Sequence, residues 1–193
     1  MDYIKAISPF LQQFMSFSDE ELEVLLPYLV VRKFKKREKI VNLGEVDIHV
    51  NYVQEGLVRK YIIHNGKEIN TLFAQEGSIV CSTISFIKQQ PSEVILEAIE
   101  PTILVSMTHE NIEKVFAENQ KFERLGRMIL ANQLIMKETT TLSQVKETVR
   151  ERFLRFVELN PDLIQRIPQK MLASYLNIEP ETFSRLKHLI RKR

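Results

Sequence analysis

The sequence predicts an α+β protein in which an antiparallel β-roll is followed by helices. Between Val31 and Val105, short β-branched and aromatic runs are separated by glycines and a proline, which is the pattern of antiparallel strands. From His109 onward the pattern is helical, and no glycine follows Gly126. Strands followed by helices, with little alternation between them, indicate a β-barrel or roll joined to a helical module.

Composition restricts the class of protein. The 193 residues are 44% hydrophobic and 27% charged, as in a globular protein, and no signal peptide or membrane-spanning run is visible. One cysteine, Cys81, excludes an intramolecular disulfide and a cysteine-rich metal site, and the four histidines lack metal-ligand spacing. No motif for a nucleophile accompanies Cys81. We therefore expect a cytoplasmic protein that is not an enzyme and binds no metal.

Charge is divided unevenly along the chain. Residues 1–119 contain 12 Lys+Arg and 17 Asp+Glu, a net charge of −5, whereas residues 120–193 contain 15 and 8, a net charge of +7. A basic C-terminal part indicates that this part meets a polyanion. A solvated basic helical surface would give the same count, so charge alone does not decide between the two.

The front of the chain contains two local signals. Apolar residues from Phe17 to Leu29 recur at helical spacing behind Ser18, a good N-cap, and predict a helix over that range. Further on, Asn65-Gly66 separates two β-runs. Both residues accept positive φ angles, so this pair predicts a tight hairpin turn.

A long helix is predicted from Lys121 to Met136, a stretch that lacks proline. Alternating steps of three and four residues form a heptad-like seam, which predicts a contact with a second copy of the chain through Phe122, Leu125, Ile129, Asn132 and Met136. The same helix has a second apolar side. A helix wholly buried within a monomer is the alternative. The weak helix formers at 139–141, three threonines, are interpreted as a hinge.

Residues 167–190 predict two short helices that meet at a tight bend. Pro168 suits a first helical turn, Asn177 can take the left-handed conformation at the bend, and Pro180 starts the second helix. One face of the second helix presents side chains suited to reading bases in a major groove, namely Glu181, Ser184, Arg185 and His188. The basic residues that follow suit phosphate contacts, and these are Arg191, Lys192 and Arg193. A helical hairpin that serves only packing is the alternative.

Two segments resemble the Crp/Fnr family of bacterial regulators. IPQKMLASYLNIEPETFSRLKHLI resembles the family's helix-turn-helix, and LGEVDIHVNYVQEGLVRKYIIHNGKEINTLFAQEGSIV resembles its cyclic-nucleotide-binding β-roll of jelly-roll type. The resemblance implies a sensor domain over residues 1–118, a dimerisation helix over 119–140 and a helix-turn-helix domain over 141–193. It also implies a homodimer that binds a roughly palindromic site on double-stranded DNA, with RNA polymerase as a further partner.

The chain departs from the family pattern in two places. Where members that bind cyclic AMP have a Gly-Glu pair and an Arg followed by a small residue, this chain has Cys81-Ser82 and Ser92-Glu93. With Thr83, these residues form the predicted ligand pocket. No arginine occurs between Arg59 and Arg124 to grip a phosphate, so we expect no cyclic nucleotide and no other cofactor. The family's wing, a hairpin after the second helix, is also missing.

These observations predict a sequence-specific, DNA-binding transcriptional regulator of the Crp/Fnr type. It would be gated by an unknown small-molecule effector other than a cyclic nucleotide, or not gated at all. The alternative is a ligand-binding or protein-interaction β-roll that has lost DNA binding. The missing wing favours the alternative, whereas the Glu181 and Arg185 face argues against it.

Overall fold

The computed structural model describes Tyr3–His188. Within this range eight strands form two four-stranded sheets, in the orders β1-β8-β3-β6 and β2-β7-β4-β5. The strands are β1 Leu29–Phe34, β2 Lys39–Val41, β3 His49–Glu55, β4 Val58–His64, β5 Lys67–Ala74, β6 Ile79–Val80, β7 Ile95–Ala98 and β8 Thr102–Thr108. Strand pairs β1–β8, β3–β8, β3–β6, β2–β7 and β4–β7 are all antiparallel. The predicted antiparallel roll is confirmed.

The helices flank and follow this roll. They are α1 Tyr3–Leu11, α2 Asp19–Glu23, α3 Thr83–Lys88, α4 His109–Glu118, α5 Gln120–Lys146, α6 Val149–Leu159, α7 Leu163–Arg166, α8 Gln169–Tyr175 and α9 Pro180–Lys187. The change from strands to helices falls at His109, as predicted, because the Thr108 side chain accepts a hydrogen bond from the backbone N–H of Asn111 and starts α4. No helix in the described part of the chain is both long and apolar enough to cross a membrane.

Two compact units are distinguishable. The first runs up to Tyr61 and resumes over Phe73–Ala131. Its core joins one face of strands β3 and β8 to side chains from α1, α2, α4 and α5, including Ile7, Phe10, Leu22, Tyr52, Val105, Val115, Phe122 and Leu125. Burial of this apolar surface is the main stabilising term for the unit.

The second unit comprises Ile62–Leu72 and the chain from Asn132 onward. Its core contains an edge-on contact between the rings of Phe153 on α6 and Phe183 on α9, whose centroids are 5.4 Å apart. The tip of the β4–β5 hairpin belongs to this unit. There the Asn70 N–H donates to Ser174 Oγ on α8 at 3.0 Å, and the Ser174 hydroxyl donates to the Glu68 carbonyl at 3.0 Å.

In the first part of the chain the predicted N-cap and hairpin turn are present, but the predicted helix is shorter than expected. Ser18 and Glu21 form a capping box, but α2 ends at Glu23, so the helix predicted over residues 17–29 is too long. Pro27 lies instead in a short 3-10 turn, because proline lacks the N–H that an α-helix interior requires. The predicted hairpin turn is present, with φ angles of 51° at Asn65 and 71° at Gly66.

The predicted hinge at residues 139–141 is wrong in the structure. Helix α5 continues through the three threonines to Lys146. Each threonine hydroxyl donates to the carbonyl four residues earlier, at distances of 2.9, 2.9 and 3.0 Å. These bonds satisfy the hydroxyls inside a helix, although the residues have weak intrinsic helix propensity.

Candidate functional site

Helices α8 and α9 meet at a tight bend, as the sequence predicts. Asn177 adopts the left-handed conformation with φ of 54°, and the Ile178 N–H donates to the Ala173 carbonyl at 3.0 Å. Ala173 is fully buried, so its small side chain permits the close approach of the two helices. Pro180 is the first residue of α9, as predicted. The bend therefore fixes α9 at a defined angle to α8.

The predicted reading face of α9 is exposed. Phe183 is buried against the second unit's core, whereas the four side chains on the opposite face are open to solvent, namely Glu181, Ser184, Arg185 and His188. The Arg185 guanidinium donates to Thr182 Oγ1 at 3.2 Å, which restrains its side chain along the helix. The predicted phosphate contacts Arg191, Lys192 and Arg193 lie outside the described residues.

Two residues of the predicted ligand pocket, Ser82 and Ser92, are hydrogen-bonded to each other. Ser82 and Ser92 are buried, and their hydroxyl oxygens are 2.7 Å apart. The Ser92 hydroxyl lies 2.7 Å from the Val94 carbonyl, which can accept its proton. The Ser92 hydroxyl therefore has its proton engaged within the loop, and the Ser82 hydroxyl is hydrogen-bonded to it.

The other three predicted pocket residues are less buried than the two serines. Thr83 and Glu93 are exposed, and the Cys81 thiol lies 3.9 Å from Thr83 Oγ1. Burial raises the pKa of the Cys81 thiol, which disfavours the reactive thiolate.

A buried carboxylate that the sequence pattern did not single out organises this pocket. Asp47, which is 2% exposed, accepts the Ser82 N–H at 2.6 Å and the His49 N–H at 3.1 Å. Its own N–H donates to Ser85 Oγ at 2.9 Å. The buried Asp47 carboxylate thus accepts the hydrogen bond of the backbone N–H at the start of α3.

Charged residues on other strands also lie near the pocket, and the sequence pattern did not associate them with it. Burial raises the pKa of Asp47, while the backbone hydrogen bonds and the positive charges of Arg32 and Lys60 oppose that rise. Arg32 lies on β1, before the stretch between Arg59 and Arg124 that has no arginine, so the prediction that no arginine is available to the pocket did not take this guanidinium into account. Arg59 is buried in an ion pair with Glu97, whose carboxylate oxygen lies 2.9 Å from the guanidinium.

Acidification is expected to destabilise the first unit through His49. Burial and, secondarily, the charge of Arg32 lower the pKa of His49 from 6.5 to about 4. The unfolded chain therefore takes up this proton at a higher pH than the folded chain does, so the stability is present above pH 6.5 and is lost as the pH falls toward 4. Urea unfolding of wild type and His49→Gln at neutral and at mildly acidic pH measures this contribution. An equal loss of stability in both proteins would show that His49 contributes nothing.

The predicted dimer seam on α5 is only partly available to a partner. Phe122 and Leu125 are 2% and 5% exposed and belong to the core of their own chain, and Ile129 packs against that core. The ring of Phe122 stacks on that of Phe17 at 5.3 Å. Asn132 is half-buried and Met136 is exposed. The first half of the predicted seam therefore faces inward, which corrects its assignment to a dimer contact.

Other apolar side chains of α5 are exposed instead. Intervals of 4 and 11 residues correspond to about one and three turns, so Leu130, Leu134 and Val145 lie along one side of the helix. Ile135 and Leu142 lie beside them. These five side chains, here called the α5 stripe, are 49% to 81% exposed.

Taken together, the two sheets, the long helix and the C-terminal helices define an architecture, a β-roll of the cyclic nucleotide-binding type followed by helices. Residues 31–119 match the family model for the cyclic nucleotide-binding domain. No curated protein sequence matches the chain significantly.

Solved structures with this architecture are similar to the chain over most of its length. FixK2 from Bradyrhizobium japonicum is 21% identical, with 85% of each chain covered and a TM-score of 0.71. The c-di-GMP responsive global regulator CLP from Xanthomonas campestris is 17% identical, with 89% of this chain and 90% of that chain covered and a TM-score of 0.68. The Thermus thermophilus catabolite activator protein is 20% identical, with 95% and 87% covered and a TM-score of 0.57. The fold is that of the Crp/Fnr regulators.

Proposed function

We propose that the protein is a cytoplasmic, homodimeric transcriptional regulator that reads a roughly palindromic DNA site through α9. It acts by binding and not by catalysis. The observation that supports this most strongly is the exposed face of Glu181, Ser184 and Arg185 on a helix anchored by the buried Phe183. Arginine can bind guanine O6 and N7 in the major groove, and a glutamate can accept from cytosine N4. The basic C-terminal part of the chain suits the phosphate backbone.

Dimerisation is proposed to occur through the α5 stripe. Five large aliphatic side chains on one side of a 27-residue helix form an exposed apolar surface that a monomer would leave in water. A second copy of the same helix would cover this surface with a matching one, which is the arrangement of a two-fold symmetric interface. Such a dimer would present two copies of α9 to successive half-sites.

Selection of bound fragments from random DNA by the purified protein tests this function. We expect enrichment of an inverted repeat with half-sites about one helical turn apart. As a control, the same selection with a Glu181→Ala, Arg185→Ala double variant should lose the enriched sequence. Recovery of fragments without any common sequence would contradict the proposal.

Cyclic nucleotides are not expected to gate this regulator. The Asp47 carboxylate already accepts the backbone N–H of Ser82, and a phosphate next to it would meet a like charge at a desolvated position. The hydroxyls of Ser82 and Ser92 are engaged with each other. The effector, if the protein has one, is therefore of another chemical class.

Calorimetry with cyclic AMP and cyclic GMP measures this directly. We expect binding no tighter than about 1 mM, which corresponds to about −4 kcal/mol. Asp47→Asn is the informative comparison, because it removes the negative charge while keeping the size of the side chain. A micromolar dissociation constant for the wild type would refute the prediction.

An interaction module that no longer binds DNA is the second candidate. It is favoured by exposed aliphatic side chains on α3 and on the loop that Asp47 ties to it, namely Leu43, Val46, Ile48, Ile84 and Ile87. Surfaces of this kind mark protein contacts. Failure of the DNA selection, together with a retained α5 dimer, would favour this candidate.

A further inference from the structure

The first unit contains a cavity of about 120 Å³ that the proposed DNA and dimer contacts do not use. Its walls are aliphatic and aromatic side chains from α1, α4 and α5 and from one face of β3 and β8. Among them are Ile7, Val50, Val105, Val115, Leu125 and Ile129. Walls of this kind offer water no hydrogen-bond partners.

This cavity is separate from the pocket that contains Asp47. Successive side chains of a strand point to opposite faces, and Tyr52 and Val105 line the cavity. Their neighbours Asn51 and Ser106 point to the other face, where the Ser106 hydroxyl donates to Asn51 Oδ1 at 2.7 Å. The β3–β8 pair therefore separates the apolar cavity from the polar network of the roll.

Helix α5 has an unusual residue at the cavity wall. Glycine is disfavoured in the interior of a helix, yet Gly126 lies within α5. A Cβ atom at this position would be 2.4 Å from Cζ of Phe116. The absence of a side chain at Gly126 thus lets the Phe116 ring lie directly against α5, where both residues line the cavity.

We propose that this cavity binds one small apolar molecule, of about the size of benzene, and that this molecule is the effector of the regulator. An apolar cavity of about 150 Å³ binds benzene or xenon, and this one, at about 120 Å³, is slightly smaller but of comparable size. The walls offer dispersion contacts and no fixed charge, so they select a neutral, hydrocarbon-like ligand over a nucleotide. The effector role rests on the function proposed above, whereas the binding itself does not.

The position of the cavity connects its occupancy to α5. Phe122, Leu125, Gly126 and Ile129 supply one wall, and the α5 stripe begins on the same helix at Leu130, about one turn after Gly126. An occupant that changes the packing under α5 therefore acts on the helix that carries the proposed dimer contact. A ligand shifts such an equilibrium only by its differential affinity for the two states.

Xenon and benzene are the probes for the binding step. Nuclear magnetic resonance of dissolved xenon, and thermal unfolding with increasing benzene, should each show saturable binding to the wild type, with a rise in melting temperature. A Val105→Ile, Val115→Ile double variant narrows the cavity and should weaken benzene binding at least about tenfold, a change of about 1.4 kcal/mol. The matched control is Val41→Ile, Val80→Ile, which adds the same atoms at buried positions that do not line the cavity.

Each outcome of this experiment decides the binding step. Val50→Leu, at a half-buried position of the wall, repeats the test if the double variant does not fold. No saturable binding to the wild type overturns the proposal, as does equal binding by the narrowed and control variants. Neither result depends on DNA, so the proposed function would stand.

The effector role is tested with DNA. Benzene at saturation should change the affinity of the wild type for its selected site at least about threefold and leave the narrowed variant unaffected. Saturable benzene binding without any change in DNA affinity overturns the effector role. A wild type that selects no DNA sequence refutes the function and with it the effector role, while benzene binding by the isolated protein would still be observed.

Discussion

Replacing Arg185 by alanine is expected to weaken binding to the selected DNA by about 1 to 3 kcal/mol per half-site and to relax the preference at one base pair. The guanidinium is exposed on α9 and restrained by Thr182, so it can meet a guanine without a large loss of side-chain freedom. Because the proposed dimer has two copies of α9, the penalty applies in both half-sites. Fluorescence anisotropy with the selected site and with scrambled DNA measures both effects.

Arg150→Ala is the matched control. Arg150 is exposed on α6 of the same unit, so its removal subtracts one positive charge without altering α9. It should weaken binding to selected and scrambled DNA alike, because contacts to phosphates carry no base identity. Neutralising Arg191, Lys192 and Arg193 should also reduce the salt dependence. If Arg185→Ala and Arg150→Ala behave identically, α9 does not read bases.

The bend between α8 and α9 was largely predictable from sequence because its determinants are local. Asn177 takes the left-handed conformation and Pro180 begins α9, as the propensities of these residues indicated. The inward position of Phe183 follows from helical spacing alone. Where a conformation depends on a few neighbouring residues, a single sequence contains the information that specifies it.

The orientation of α5 was not predictable in the same way. Its apolar residues have the spacing of a coiled coil, yet Phe122 and Leu125 face their own chain. Part of the covering surface is contributed by α1 and by Phe17, more than a hundred residues away in sequence. Periodicity reports that a face is buried but does not report whether the cover comes from the same chain or from a partner.

The role of Asp47 depends on a similarly distant contact. Its carboxylate meets the Ser82 N–H across 35 residues of sequence. Nothing in the segment LGEVDIHV distinguishes a buried acid from an exposed one, although the acid stands among apolar residues just before β3. The substituted residues at positions 81, 82, 92 and 93 indicated that the pocket had changed. They did not indicate that a buried carboxylate accepts the Ser82 N–H.

A glutamate in place of Leu134 is expected to dissociate the dimer and to reduce operator affinity by about 100-fold or more. Leu134 is 64% exposed at the centre of the α5 stripe, so the monomer should tolerate the change. In a symmetric dimer, however, two carboxylates would be buried close together without partners. Linking two binding modules raises affinity by about 10² to 10⁴ over one module, and this gain would be lost. Light scattering and anisotropy on the selected DNA measure the two effects.

Met136→Glu distinguishes the α5 stripe from the seam first predicted. Met136 is similarly exposed but lies two residues, or roughly 200°, around the helix from Leu134. Helix propensity and added charge are matched, so only the face differs. If the stripe forms the contact, Met136→Glu should remain dimeric and bind the operator as the wild type does. A dimer that tolerates Leu134→Glu but is dissociated by Met136→Glu would place the partner on the Met136 side, because the outer half of that seam is exposed even though Phe122 and Leu125 are buried.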